Sequence, residues 1–178
     1  MPKLDAYKLD NFKIDGGGGL KIKSIQRGTI TISSGLTATA TVNAVDLSKA
    51  VLFHNGATSG YVGECNPPII ELTDATTITA TRGYASSTGI VNYTLVEFEG
   101  LEKITMGTFA FKNSPSTLTI DEVDLGKTIL LVNGKTGGLN DAAAAYYRLE
   151  LTDATTITGY KGQSTATFTV GYILLTFK

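Results

Sequence analysis

The sequence predicts an all-β protein: two tandem homologous antiparallel β-sandwich units preceded by an extended N-terminal arm. Three observations predict it. The nonapeptide ELTDATTIT stands at residues 71–79 and again, unchanged, at residues 150–158. The 178 residues include 27 Thr, 20 Gly and no Trp, with charged residues at only 17%, below the roughly 25% usual in soluble chains. Thr is β-branched, so it suits a strand while keeping one face of a sheet wet. Short stretches alternate apolar and polar residues between Gly-rich turns, the period-2 signature of half-buried strands.

The repeat extends well beyond nine residues. Ile25-Gln26-Arg27-Gly28-Thr29-Ile30-Thr31-Ile32 aligns with Ile104-Thr105-Met106-Gly107-Thr108-Phe109-Ala110-Phe111. Val45-Asp46-Leu47-Ser48-Lys49 aligns with Val123-Asp124-Leu125-Gly126-Lys127, and Val91, Tyr93, Leu95 and Phe98 align with Val170, Tyr172, Leu174 and Phe177. The offset is 79 throughout except for 78 in the middle block, so one residue is lost after the first strand. Self-similarity at a fixed period marks a duplicated structural part. The units are residues 21–99 and 100–178, and residues 1–20 form an arm and glycine linker.

Each unit reads as about six short strands. The first covers residues 25–32. In the second, Thr37-Ala38-Thr39-Ala40-Thr41-Val42 alternates strictly and puts Ala38, Ala40 and Val42 on one face, where the second copy carries Leu118 and Ile120. The third, residues 49–55, is expected to end at Asn55-Gly56, and its counterpart at Asn133-Gly134. ELTDATTIT supplies strands four and five around a turn at Asp74-Ala75, with Leu72 and Ile78 inward and Thr77 and Thr79 outward. Leu151, Ile157, Thr156 and Thr158 follow suit. The sixth strand, residues 89–98, points Val91, Tyr93 and Leu95 inward.

A unit of this size has a core that rarely supplies more than about 3–5 kcal/mol. The single Cys65 forbids an intrachain disulfide, so the units are expected to pack together or the chain to form a homo-oligomer. In the arm, Lys-Leu-Asp, Lys-Leu-Asp and Lys-Ile-Asp recur every five residues before Gly16–Gly19, a period that fits neither helix nor strand. Four glycines make a flexible joint. The arm is expected to dock on a neighbouring subunit through Leu4, Tyr7, Leu9, Phe12 and Ile14.

Formal net charge is -1, which disfavours a general electrostatic hold on nucleic acid or on a membrane surface. No apolar run approaches the roughly 20 residues of a membrane span. The N-terminus lacks an apolar signal core, so synthesis in a reducing cytoplasm is expected.

Chemistry is sparse. His54 is the only histidine, which excludes a His-rich zinc site, and it is expected to be structural, at a strand end. Cys65 has no histidine near it in sequence, so no activated thiol is expected. Gly126-Lys127-Thr128 and Gly134-Lys135-Thr136 resemble the tail of a phosphate loop, but Asp121 and Ile129 stand where its first glycine belongs. Asp46 and Asp124 occupy one turn in the two units, as do Asp74 and Asp153. An Asp there accepts a hydrogen bond from the backbone N–H two residues on, so all four are assigned to turns. No catalytic residue, metal ligand or cofactor is predicted. Tyr61, Tyr84, Tyr146, Tyr147 and Tyr160 are placed in loops as candidate recognition residues, because Tyr offers an apolar face and a hydroxyl.

The series Gln26-Arg27-Gly28-Thr29-Ile30-Thr31, Val45-Asp46-Leu47-Ser48-Lys49-Ala50, residues 71–82 and Leu95-Val96-Glu97-Phe98 resembles the small β domains common in tailed-bacteriophage virion proteins. The likeness spans the first unit nearly end to end. It is weaker in the second, which has Gly159-Tyr160-Lys161 for Ala80-Thr81-Arg82. The resemblance implies a structural particle component and not an enzyme, made in the host cytoplasm and located in the virion. Its expected partners are other capsid or tail subunits, and a capsid decoration or head-fibre role is favoured. The alternative is a tail-fibre or baseplate adhesin whose loops bind a host surface glycan or protein.

Overall fold

The computed structural model describes residues 19–59, 67–83, 88–137, 146–162 and 167–178. Every regular element among them is a strand. The first half holds β1 (Lys21–Ile32), β2 (Thr37–Thr41), β3 (Ala50–Ser59), β4 (Ile69–Asp74), β5 (Thr77–Thr81) and β6 (Gly89–Glu99). The second holds β7 (Leu101–Phe111), β8 (Ser116–Thr119), β9 (Thr128–Gly137), β10 (Tyr147–Asp153), β11 (Thr156–Lys161) and β12 (Phe168–Phe177). They form four three-stranded antiparallel sheets, ordered β1-β6-β3, β2-β5-β4, β7-β12-β9 and β8-β11-β10. The strand order of the first pair is reproduced in the second. Between the halves the chain passes through Gly100, whose positive φ of 94° suits a residue without a Cβ.

Alternation does most of the folding. In the first half Ile30, Ile32, Leu52, Ile70, Ile78, Val91 and Leu95 bury one face of each of the two sheets in a common core, with Ala38 and Ala40 packed against it and Val42 inside it. In the second half Phe109, Phe111, Ile157, Phe168, Val170 and Leu174 do the same, with Leu118 and Ile120 at the edge. The inward sets expected for β2, β5, β6 and β8 are those observed.

The two cores are filled differently at equivalent positions. The first has Ile30, Ile32 and Ala80; the second has Phe109, Phe111 and Gly159. The rings of Phe109 and Phe111 lie 4.7 Å apart, and Phe111 stacks on Phe168 at 4.5 Å. A Cβ on Gly159 would lie 2.5 Å from Phe109 Cε1 and 2.7 Å from Phe111 Cε1. Larger rings are therefore accommodated by a smaller residue across the core, as close packing requires. Another pairing is kept in both halves: Gly28 lies opposite Tyr93 and Gly107 opposite Tyr172, each ring covering its glycine.

Two expectations are corrected. Asn55-Gly56 and Asn133-Gly134 do not end their strands. β3 runs on to Ser59 and β9 to Gly137, and each Asn-Gly makes a β-bulge in pairing with the central strand. Gly56 and Gly134 have φ of 107° and 91°, so the glycine supplies the left-handed residue of a bulge instead of a hairpin turn. Thr158 is buried at 8% exposure although its side chain is on the outward face. It sits on the middle strand between Glu150 and Thr117, with its hydroxyl 2.9 Å from that of Thr152, so its neighbours cover it.

A third apolar cluster joins the halves. Val51, Phe53 and Phe98 pack with Leu101, Ile104, Leu131, Ile173, Leu175 and Phe177. At its upper end the β9 bulge receives the start of β4: Lys135 N–H donates to Pro67 O at 2.8 Å, and Asn133 Nδ2 donates to Ile70 O at 2.5 Å. A Cβ on Gly134 would collide with the Pro68 carbonyl.

Candidate functional site

The four duplicated aspartates are held as the sequence suggests. Asp74 Oδ1 accepts from Thr76 N–H at 2.8 Å and from its hydroxyl at 2.9 Å; Asp153 does the same with Thr155 at 2.8 and 3.0 Å. Asp46 accepts from Ser48 N–H at 3.0 Å and Ser48 Oγ at 2.6 Å, and Asp124 from Gly126 N–H at 2.9 Å. Hydrogen bonds to the ionised form lower a carboxyl pKa. The Ser48 hydroxyl, helped by Lys49 and the Ser48 N–H, brings Asp46 down to about 2. The N–H and hydroxyl of Thr76 lower Asp74, and those of Thr155 lower Asp153.

Residue 97 is one of the buried polar positions at which the halves differ. Glu97 is 3% exposed and accepts from Lys23 Nζ at 2.8 Å, Asp46 N–H at 3.2 Å and Ser24 Oγ at 3.4 Å. Lys23 is the main cause of its lowered pKa. The second half has Thr176 there, its hydroxyl 3.1 Å from that of Thr128.

Asp46, Asp74, Asp153 and Glu97 have folded pKa values below their unfolded ones, so their contribution is complete above the unfolded value. It is lost as pH falls through the folded one. Thermal midpoints should hold down to about pH 5 and fall between about pH 5 and 2. Asp46→Asn should flatten that fall, which melting curves across pH will check.

The predicted site residues fare unequally. Leu4, Tyr7, Leu9, Phe12, Ile14, Tyr61, Tyr84 and Cys65 lie outside the described residues. Tyr146 is 75% exposed and stands just before β10. Tyr147 and Tyr160 are not in loops, as expected, but on strands β10 and β11. Tyr147 is half-buried among Phe111 and Phe168, with ring centroids at 5.9 and 5.7 Å, because strand alternation turns it to the core. Tyr160 carries the Arg148 guanidinium over its ring at 3.9 Å, and Arg148 in turn donates to Glu150 at 2.8 Å. Tyr146 and the Arg148–Tyr160 pair thus remain as an accessible polar-aromatic surface.

His54 lies within β3 just before the bulge, not at a strand end, and its Nδ1 accepts from Gly56 N–H at 3.0 Å. Burial lowers its pKa against the backbone groups of His54 and Pro68. It serves the bulge. Lys135, one residue of the rejected phosphate-loop pattern, is 2% exposed with Nζ 4.2 Å from the Phe168 ring centroid, so it is packed against the core.

Sequence reasoning missed a cleft of about 530 Å³ between the halves, lined by Leu36, Arg82, Phe111, Lys112, Phe168 and Thr169. No local signal announces it, because residues about 80 apart meet only when the halves pack. Arg82 is 5% exposed there, with Nε donating to Gly35 O at 2.9 Å while its N–H donates to Leu36 O at 2.9 Å, so it ties down the β1–β2 turn. Among the described residues there is no cluster of three His, Cys, Asp or Glu able to hold a metal. Among the described residues no helix is long and apolar enough to cross a membrane.

Neither family models, nor curated proteins, nor solved structures gave a match to this chain.

Proposed function

We propose that the chain is a non-catalytic structural component of a tailed-phage virion, of capsid-decoration or head-fibre type. It is built as two tandem β-sandwich units and attached through the arm at residues 1–20. One observation carries this reading: the aspartates that both copies keep are engaged in holding turns. What the duplication preserved is therefore scaffold. The residue series shared with virion β domains supports the particle assignment. Deleting residues 1–19 is expected to abolish loading onto particles while the remaining β body stays folded by circular dichroism. Full loading of the truncated protein contradicts the anchor.

A second reading, a tail-fibre or baseplate adhesin, draws on the exposure of Tyr146 beside the Arg148–Tyr160 pair. Tyr is enriched where binding energy concentrates. On that reading Tyr146→Ala lowers adsorption to host cells with normal particle assembly; on the first reading adsorption is unchanged.

A further inference from the structure

The seam between the halves is heterologous: each half contributes a different part of the same duplicated surface. Equivalent residues form a row across the outer face of each β1-type sheet, set by strand pairing. In the first half the row is Ile25–Val96–Val51 across β1, β6 and β3. In the second it is Ile104–Leu175–Ile129 across β7, β12 and β9. Exposure runs in opposite directions along the two rows. It falls from 41% at Ile25 to 6% at Val96 and 0% at Val51. In the second row Ile104 is half-buried, Leu175 is 6% exposed and Ile129 is 47% exposed. A neighbouring position agrees: Leu101 is 8% exposed, whereas its counterpart Ile22 is 59% exposed.

The β3 end of the first half therefore packs over the β7 side of the second half's outer sheet, while the β9 bulge receives β4. Each half keeps one free end, at Ile22 and Ile25 on β1 and at Ile129 on β9 before the bulge. Those ends are the missing complements of each other. The apolar β1 end, with Ile22 and Ile25, corresponds to the surface that receives, and the β9 end, with Ile129, to the surface that is received. An interface of two unlike surfaces repeats between copies and closes into a ring or continues as a filament.

We propose that chains associate head to tail, the β9 end of one chain covering the β1 end of the next in the arrangement the two halves already use. The occupant is a second copy of this chain, identified by equivalence to the seam. Only the lower part of the seam is repeated. Asn92 stands where Gly171 admits Ile69 closely, and Arg148 stands where Ile69 inserts. The contact between chains is accordingly smaller than the one within the chain, and its association depends on concentration in the range of transient interfaces. This holds whether or not the protein belongs to a virion.

Ile25→Glu and Ile129→Glu test it in the full chain. Both side chains are exposed enough for the folded monomer to keep its melting temperature, which is measured first. Sedimentation equilibrium of the wild type should show association, weakened at least about 100-fold by either charge buried in the contact. An equimolar mixture of the two variants should yield a discrete dimer and nothing larger. In that dimer the intact β9 end of Ile25→Glu meets the intact β1 end of Ile129→Glu. A wild type that stays monomeric up to about 1 mM, a variant that still associates alone, or a mixture that remains monomeric overturns the proposal.

Discussion

Gly159→Ala is expected to lower the stability of the second half by about 1–3 kcal/mol, the usual cost of forcing extra atoms into a packed core. In an ordinary strand the same change would be favourable, because alanine leaves the unfolded chain less freedom to lose. Here the new methyl meets Phe109 and Phe111 at 2.5 and 2.7 Å, and both rings are held, at 1% and 0% exposure. The first half shows the compensated arrangement, Ala80 with Ile30 and Ile32. In the background Phe109→Ile, Phe111→Ile, the alanine should therefore be neutral or stabilising. Urea unfolding of the four proteins gives the coupling as a double-mutant cycle, which for contacting residues reaches about 0.5–3 kcal/mol. Equal effects of Gly159→Ala in both backgrounds would show that the rings do not set the tolerance.

How far the fold was legible follows from where each signal resides. Strict alternation in residues 37–42 and in ELTDATTIT fixes which side chains face inward, because a one-residue slip would expose all of them. Duplication then let each half check the other, as with Ala38 and Ala40 against Leu118 and Ile120. The Asn-Gly pairs misled because a hairpin turn and a bulge both use a left-handed glycine. Only pairing to β6 or β12, distant in sequence, decides between them. Tyr147 and Tyr160 misled because Gly-rich surroundings look like loops, whereas strand neighbours orient both rings. The seam and the cleft beside it could not be read in advance. Both arise where equivalent strands have acquired different neighbours, and that difference is distributed over single residues such as Gly171 for Asn92 and Ile173 for Thr94.

Those two differences carry the other large expected effect. Gly171→Asn with Ile173→Thr gives the second half the residues that the first half already holds at these positions, so neither change is foreign to the sheet. Asn92 sits exposed beside an equivalent bulge, and Thr94 accepts a hydrogen bond from Asn55 Nδ2 at 2.6 Å. In the second half, however, a Cβ on residue 171 would lie 2.6 Å from the Asn133 carbonyl oxygen of the β9 bulge and 3.0 Å from Ile69 Cγ2, and Ile173 is 1% exposed inside the seam. The swap thus removes buried apolar volume, inserts a hydroxyl and wedges the start of β4 away, at a cost of about 3 kcal/mol or more. That cost falls on the coupling between halves and leaves the inner cores intact. Calorimetry should show one unfolding transition for the wild type and two for the swapped protein, in which protease should gain access near Gly100. The reverse exchange, Asn92→Gly with Thr94→Ile, lies outside the seam and should leave the coupling of the halves unchanged. A swapped protein that still unfolds in one transition at the wild-type midpoint would place the coupling elsewhere, in the Asn133 and Lys135 hydrogen bonds to β4 and the residues leading into it.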